Sequence, residues 1–253
     1  MNVNLIPCLS DNYSYFVIDP DSKKTCIVDP AEFGALDNFI TKNKLTVDYI
    51  LNTHHHADHV DGNLQLKEKY KCKIVGFEKD KSRIPGIDIT LKDQETWMFG
   101  NEEIKIHHVP GHTIGHIFFH FTKSKIAFVG DTLFSLGCGR VFEGSYEEMF
   151  HSVMKVKKLP AETIIYCGHE YTASNAKFCI AYDPSNKTLE KRVDEIKTLR
   201  SKNLPTIPTT IKNEIDTNIF LRCDNREIRK NLSLENSSDI EVFIKLRKLK
   251  DNF

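Results

Sequence analysis

Residues 53–62 read THHHADHVDG, so four histidines and an aspartate fall within the six positions from His54 to His59. Imidazoles and carboxylates crowded this way are poor core material, because burying them unpaired costs several kcal/mol (~2–7 for a neutral polar group alone). A divalent cation reconciles them. In extended chain His54 and His56 leave on the same side, while His55 points the other way and is set aside. Asp58 and His59 follow at the turn into a helix expected to begin near Gly62. Nitrogen and carboxylate donors in this mixture suit zinc, with iron or manganese as substitutes.

Three further donors follow apolar runs. IKIHHVPGHTIGH offers His112 on the loop forced by Pro110 and Gly111, KIAFVGDT offers Asp131, and TIIYCGHEYT offers His169. The placement repeats as strand end, glycine, ligand. Ligands at strand ends that share a sheet edge meet on a common rim, where α/β proteins usually hold their active sites. Seven donors are too many for one tetrahedral ion and suit two. We assign His54, His56 and His112 to one ion and Asp58, His59 and His169 to the other, with Asp131 bridging. Each ion then keeps a position for water, the mark of a catalytic site, and water between two cations is acidified toward hydroxide near neutral pH. Asp58 would orient or deprotonate that nucleophile. Asp29, ending the strand in CIVDP, either supports a ligand from behind or closes a turn. His107, His108, His116, His120 and His151 are assigned to core or surface, although His116 and His120 share one face of HIFFHF and one of them could back a ligand.

These donors need a scaffold. Between residues 13 and 170 the runs YSYFVI, TCIV, DYIL, KIVGF, TWMF, IKIHHV, HIFFHF, IAFV and TIIYC read as strands, several apolar throughout as in sheets buried on both faces. Hairpins are expected at Gly100-Asn101 and across Thr122 to Lys125. Phe33, Leu36, Phe39 and Ile40 mark one helix. Ser145 with Glu148 forms a capping-box pattern that opens another, ending before Pro160. After Tyr171 the pattern turns helical, with Leu189, Val193, Ile196 and Leu199 at helical spacing and a last helix carrying Ile240, Phe243 and Ile244. The expectation is an α/β domain over residues 1–171 and a mostly helical one over 172–253.

Composition narrows the function. Lys plus Arg (35) equals Asp plus Glu (35), so no global field recruits nucleic acid or a membrane surface. Seven scattered cysteines without a C-x-x-C indicate reduced thiols and a cytoplasmic setting. The N-terminal stretch lacks a signal-peptide pattern, and no run is long enough to span a bilayer. A monomer is the working expectation.

THHHADH resembles the signature of the metallo-β-lactamase superfamily, and PGHT, GDT and GHEYT resemble its remaining ligand motifs in order. That resemblance implies an αβ/βα sandwich with two metals at one edge. Over nearly the whole chain, SDNYSYFVID, LFSLGCGRVFEG, GHEYTASNAKF and the closing LRKLKDNF are similar to the glyoxalase II family, the hydroxyacylglutathione hydrolases. It implies hydrolysis of S-D-lactoylglutathione to D-lactate and glutathione, the second step of methylglyoxal detoxification, and a helical domain for the glutathione moiety. By motif position Arg140, Phe142 and Tyr171 would line the glutathione site, and Arg247 and Lys250 would close over its carboxylates. Arg247 and Lys250 are three apart, hence on one helical face, and two carboxylates call for such cations. Position 142 is Phe where some members carry Tyr. Loss of that hydroxyl contact removes about 0.5–1.5 kcal/mol.

Attack on a thioester carbonyl needs oxyanion stabilisation, which a metal supplies, and little acid assistance, because the leaving thiol has a pKa of roughly 8.5. The main alternative on this scaffold is a persulfide dioxygenase acting on glutathione persulfide with one iron. The full second-ion set of Asp58, His59 and His169 favours hydrolysis. A nuclease of the same scaffold is disfavoured by the neutral charge balance.

Overall fold

The computed structural model describes residues 1–253, which fall into two compact units. The first comprises residues 1–108 and 115–130, the second residues 109–114 and 131–253.

The first unit is built on a sheet of β1 (Asn2–Cys8), β2 (Asn12–Ile18), β3 (Thr25–Val28), β4 (Tyr49–Leu51), β5 (Lys73–Phe77) and β6 (Ile89–Leu91), paired in that order. β1, β2 and β3 are antiparallel neighbours, and β3 through β6 run parallel. Parallel neighbours need crossovers, and two are helical: α1 (Phe33–Lys42) joins β3 to β4, and α2 (Ala57–Val60) with α3 (Asn63–Tyr70) joins β4 to β5. Leu36 and Ile40 of α1 and Leu66 of α3 pack with Phe16, Ile27, Ile50 and Ile74 of the sheet. Each fully buried aliphatic side chain there contributes roughly 1.5–3 kcal/mol.

An antiparallel meander of β7 (Thr96–Phe99), β8 (Glu102–His108), β9 (Ile117–Phe121) and β10 (Ile126–Gly130) covers the other face of this sheet. Aromatic pairs fill the space between: Tyr15 lies 5.3 Å from Phe128, and Tyr49 sits edge-on to Trp97 at 5.0 Å. The expected hairpins at residues 100–101 and 122–125 are both present.

The helix expected near Gly62 is α3, which opens at Asn63 with Gly62 as its N-cap, and a separate short turn precedes it. That turn is α2, which carries Asp58 and His59. The break falls where the Gly62 amide leaves the helical ladder to donate to the Pro30 carbonyl at 2.9 Å.

The second unit contains the hairpin β11 (Leu133–Phe134) and β12 (Gly137–Cys138), then α4 (Tyr146–Lys157) and β13 (Ile164–Cys167). It continues with α5 (Thr172–Tyr182), α6 (Lys187–Ser201), β14 (Thr209–Thr210), α7 (Ile211–Thr217), α8 (Arg226–Asn231) and α9 (Asp239–Asp251). The capping box at Ser145 and Glu148 is formed, and Ser238 with Glu241 forms a second one at the start of α9. Phe178, Phe220, Phe243 and Phe150 make its aromatic core, with ring centroids 5.5–6.0 Å apart from one to the next. All seven cysteines are free and buried. No helix is long and apolar enough to cross a membrane.

Candidate functional site

In the first unit the donors cluster beyond β4, at the end of the parallel run. His54 is fully buried, and its Nε2 lies 3.1 Å from His56 Nδ1. Two ring nitrogens this close repel if both present lone pairs and leave one position for a shared cation or proton. The tautomers follow from the partners behind them. Thr53 donates its hydroxyl to Asp29 Oδ2 at 2.7 Å, so its oxygen is free to accept from His54 Nδ1 at 3.0 Å. His59 Nδ1 faces the same Asp29 oxygen at 3.1 Å. In both rings the proton is therefore drawn to Nδ1, which leaves the Nε2 lone pair able to bind a metal. Asp29 also accepts from the Thr53 amide at 2.7 Å, and its backbone is left-handed at φ 48°. One carboxylate thus orients two imidazoles, the supporting role rather than the turn-closing one.

Asp58 is held by Asn12, whose amide donates to the Asp58 carbonyl at 3.0 Å and to its carboxylate at 2.9 Å. The Asp58 carboxylate lies 3.6 Å from His59 Nε2. His55 turns away as expected, toward Asp80 at 3.4 Å. His116, assigned to the core by its neighbours in sequence, stacks on His54 with centroids 4.6 Å apart. His120, on the same strand face, goes instead toward His107 at 6.1 Å, where burial and then Lys105 lower its pKa.

In the second unit His112, Asp131 and His169 converge. Asp131 Oδ2 lies 3.5 Å from His112 Nε2 and 3.3 Å from His169 Nε2. His112 donates from Nδ1 to the Arg140 carbonyl at 2.9 Å, which leaves its Nε2 toward the aspartate. The glycines beside these residues have steric duties. A Cβ at residue 111, where φ is 140°, would stand 2.7 Å from the Met149 Cα of α4. A Cβ at residue 139 would collide with the Asp131 carbonyl oxygen and stand 3.2 Å from His112 Nδ1. Glu170, beside His169, fastens its loop by accepting from the Thr206 amide and hydroxyl, both at 2.7 Å.

His112 and Asp131 form one wall of a cleft of about 530 Å³ that lies within this unit. The other walls carry all five residues expected to meet a glutathione ligand: Arg140, Phe142, Tyr171, Arg247 and Lys250. Tyr171 stacks flat on His169 at 4.7 Å, with interplanar angle 2°. Phe142 is 62 % exposed, its ring 5.3 Å from His112.

The cations divide. Arg140 is largely exposed, and Lys250 is half-buried at 3.3 Å from the Ser174 hydroxyl. Burial, then the neighbouring Arg247, lowers the Lys250 pKa from its usual value. Arg247 is only 3 % exposed. It donates to the Cys138 carbonyl at 2.7 Å and to Asp251 at 3.1 Å, and its Nε has no partner in the protein. Arg247 thus braces the cleft floor, while Arg140 and Lys250 present the accessible charge. Phe134, Cys138, Asn175, Asp251 and Phe253 complete the lining.

Residues 10–169 match the metallo-β-lactamase superfamily, and residues 170–253 match the hydroxyacylglutathione hydrolase C-terminus. Along all 253 residues the chain is 49% identical to the hydroxyacylglutathione hydrolase of Pelagibacter ubique, covering 100% of each chain. This chain belongs to the hydroxyacylglutathione hydrolase family. The Mesorhizobium japonicum hydroxyacylglutathione hydrolase is 48% identical, with 97% of this chain and 96% of that one covered. Among solved structures, the B3 metallo-β-lactamase BLEG-1 matches with a TM-score of 0.67 at 22% identity, over 87% of this chain and 99% of that one. ETHE1 from Myxococcus xanthus matches with a TM-score of 0.69 at 21% identity, over 98% and 90% of the two chains. The fold is the metallo-β-lactamase fold with a C-terminal helical region, and the family's His and Asp donors stand in groups able to bind metal.

Proposed function

We propose that this chain hydrolyses S-2-hydroxyacylglutathione thioesters, S-D-lactoylglutathione among them, to the hydroxy acid and glutathione. The observation that carries the reading is the cleft of the second unit. Two metal-type donors, His112 and Asp131, share its walls with the accessible cations Arg140 and Lys250, as a ligand with a reacting carbonyl and distant carboxylates requires. Family membership over the full chain supports the same substrate class.

In this reading two divalent ions, zinc in the first instance with iron or manganese as substitutes, are held by His54, His56, Asp58, His59, His112, Asp131 and His169. The donor chemistry fits, since imidazoles with Nε2 left as ligand and two carboxylates suit such ions. When bound, the ions supply an acidified water and a Lewis acid for the thioester carbonyl. The chain's own residues do the rest. Asp29 and Thr53 keep His54 and His59 in the ligating tautomer, and Asn12 aims Asp58, which orients the nucleophilic water. Tyr171 and Phe142 flank the peptide of the substrate, with Arg140 and Lys250 against its carboxylates and Arg247 beneath them. Residues 172–253 serve as the glutathione-binding domain, after a catalytic domain of 1–171. The chain is read as a cytoplasmic monomer, and its free, buried thiols suit a reducing compartment.

The test compares lactoylglutathione with the lactoyl thioester of N-acetylcysteamine, which lacks both carboxylates, on zinc-reconstituted protein. We expect kcat/KM to favour the glutathione ester by about tenfold or more, the equivalent of roughly 1.4 kcal/mol. Two metal ions per chain should accompany the activity. Equal rates would remove the role of Arg140 and Lys250, and one iron per chain with oxygen consumption in the protein as purified would replace hydrolysis by persulfide oxidation.

A further inference from the structure

The hairpin of β11 and β12 joins Asp131 to Arg140, and almost nothing in its own sequence holds it. Its two-residue turn is Ser135-Leu136, with Leu136 fully buried in the left-handed region at φ 59°. A bulky residue in that conformation must be held there by its surroundings. The holding group comes from α7. Glu214 is fully buried, and its Oε2 accepts from the Leu136 amide at 2.8 Å. The same oxygen accepts from the Asn218 side-chain amide at 3.0 Å, and Oε1 accepts from the Thr209 hydroxyl at 2.7 Å. Asn218, one turn on, also donates to the carbonyls of Phe134 at 3.2 Å and Gly137 at 3.0 Å, one on each strand. From α5, Asn175 donates to the Ser135 carbonyl at 3.1 Å and the Cys179 thiol to the Leu136 carbonyl at 3.2 Å.

Three of the four polar groups of the turn backbone, the Leu136 amide and the Ser135 and Leu136 carbonyls, are thus met by side chains of the helical region. What the hairpin positions is the chemistry. Asp131 lies two residues before β11. Two residues after β12, the Arg140 carbonyl fixes the His112 ring, and Phe134 and Cys138 line the cleft in between. A carboxylate without solvent is an expensive way to hold a turn, and burial pushes the Glu214 pKa upward against the hydrogen bonds that lower it. Such a group persists where a unique geometry is required.

We propose that Glu214, with Asn218, is a positioning residue for hydrolysis: it sets the turn that aims Asp131 and, through the Arg140 carbonyl, His112. This rests on the proposed function for its kinetic consequence, although not for its geometry. The carboxylate touches neither substrate nor metal and acts only through the hairpin. Its shape matters more than its charge. Glutamine in its place keeps one acceptor toward Leu136 and Asn218, and its amide can donate to Thr209, whose hydroxyl accepts as readily as it donates.

The experiment uses the full chain carrying Glu214→Ala or Glu214→Gln. It reads amide hydrogen exchange across residues 133–138, bound zinc per chain, thermal unfolding, and kcat and KM for lactoylglutathione. In folded Glu214→Ala we expect faster exchange at Leu136, fewer zinc ions than the parent, and a kcat lower by about 10–100-fold with a smaller change in KM. Glu214→Gln should restore all three toward the parent. Parent-like exchange, zinc and kcat in Glu214→Ala would overturn the proposal, as would a folded Glu214→Gln as defective as the alanine variant. If Glu214→Ala does not fold, Asn218→Ala carries the test, and a folded Asn218→Ala with parent zinc content and kcat overturns it. A parent enzyme without thioesterase activity would refute the functional reading, while exchange and zinc content would still decide the role of Glu214.

Discussion

Thr53 is uncharged and binds no metal in the proposed site, yet two of the proposed ligands, His54 and His59, share the hydrogen-bond network it joins through Asp29. Its hydroxyl points at Asp29 and its oxygen at His54, so the proton on the imidazole is dictated from two atoms away. Phe142 shows the opposite economy. It stands 62 % exposed at the cleft with no hydroxyl to offer. Phe142→Tyr should therefore add one hydrogen bond to the bound peptide, worth about 0.5–1.5 kcal/mol, and lower KM roughly 2–10-fold with little change in kcat. Steady-state kinetics on lactoylglutathione check this, and an unchanged KM would place the ring away from the peptide.

Among the elements, the turn before β3 and the turn before β8 are joined by one buried carboxylate. Asp19 accepts from the Asn101 amide at 3.0 Å, the Ser22 hydroxyl at 2.5 Å and the Asp21 amide at 3.0 Å. Burial alone would raise its pKa, but these hydrogen bonds, led by the Asn101 amide, outweigh it and hold the group at about 2. A depressed carboxylate stabilises the fold above its unfolded pKa and loses that contribution as pH falls through its folded value. Asp19→Asn should therefore lower Tm at pH 7 by about 3–8 °C, and the gap should close between pH 4 and about pH 2. Thermal unfolding of both proteins across that range is the check. A gap independent of pH would assign the effect to packing.

At this scale the sequence was informative for most elements in which periodicity or spacing carried a signal, although β1 and β6 lie outside the runs read as strands. All nine expected strand runs fall on strands, and both tested hairpins form. The two-residue strands β11, β12 and β14 carry no such signal, being too short for any period and held by partners distant in sequence. Asn12 and Thr53 are likewise ordinary in composition and acquire their roles only by tertiary contact. His116 could be narrowed to one of two candidates on a strand face, but only the fold shows which ring meets His54. Arg247 was legible as a cation on the cleft face of α9. Its burial beneath Cys138 was not, because the covering hairpin lies more than a hundred residues away.

For the whole molecule, the proposed ligand set, drawn from positions 54 to 169, would make metal binding a term in global stability. A cation that binds only the folded chain adds RT ln(1 + [L]/Kd), about 4 kcal/mol at a thousandfold excess over Kd. Removing metal with a chelator should lower Tm by about 8–16 °C for a chain of this size, and zinc should restore it in a concentration-dependent way. Differential scanning calorimetry of the apo and reconstituted protein reads this directly, and a Tm indifferent to chelation would contradict the proposed ligand set.

The seven buried thiols have a consequence for an enzyme that handles activated acyl groups. Cys138 lines the cleft in which the thioester is proposed to dock, and a thiolate there would capture the acyl group and leave the protein modified on itself. Burial raises that thiol to about 11 despite the opposing charge of Arg247. The other six are likewise pushed upward by burial. Near neutral pH the bystander sulfur stays protonated, which in the proposed reaction leaves water as the acceptor.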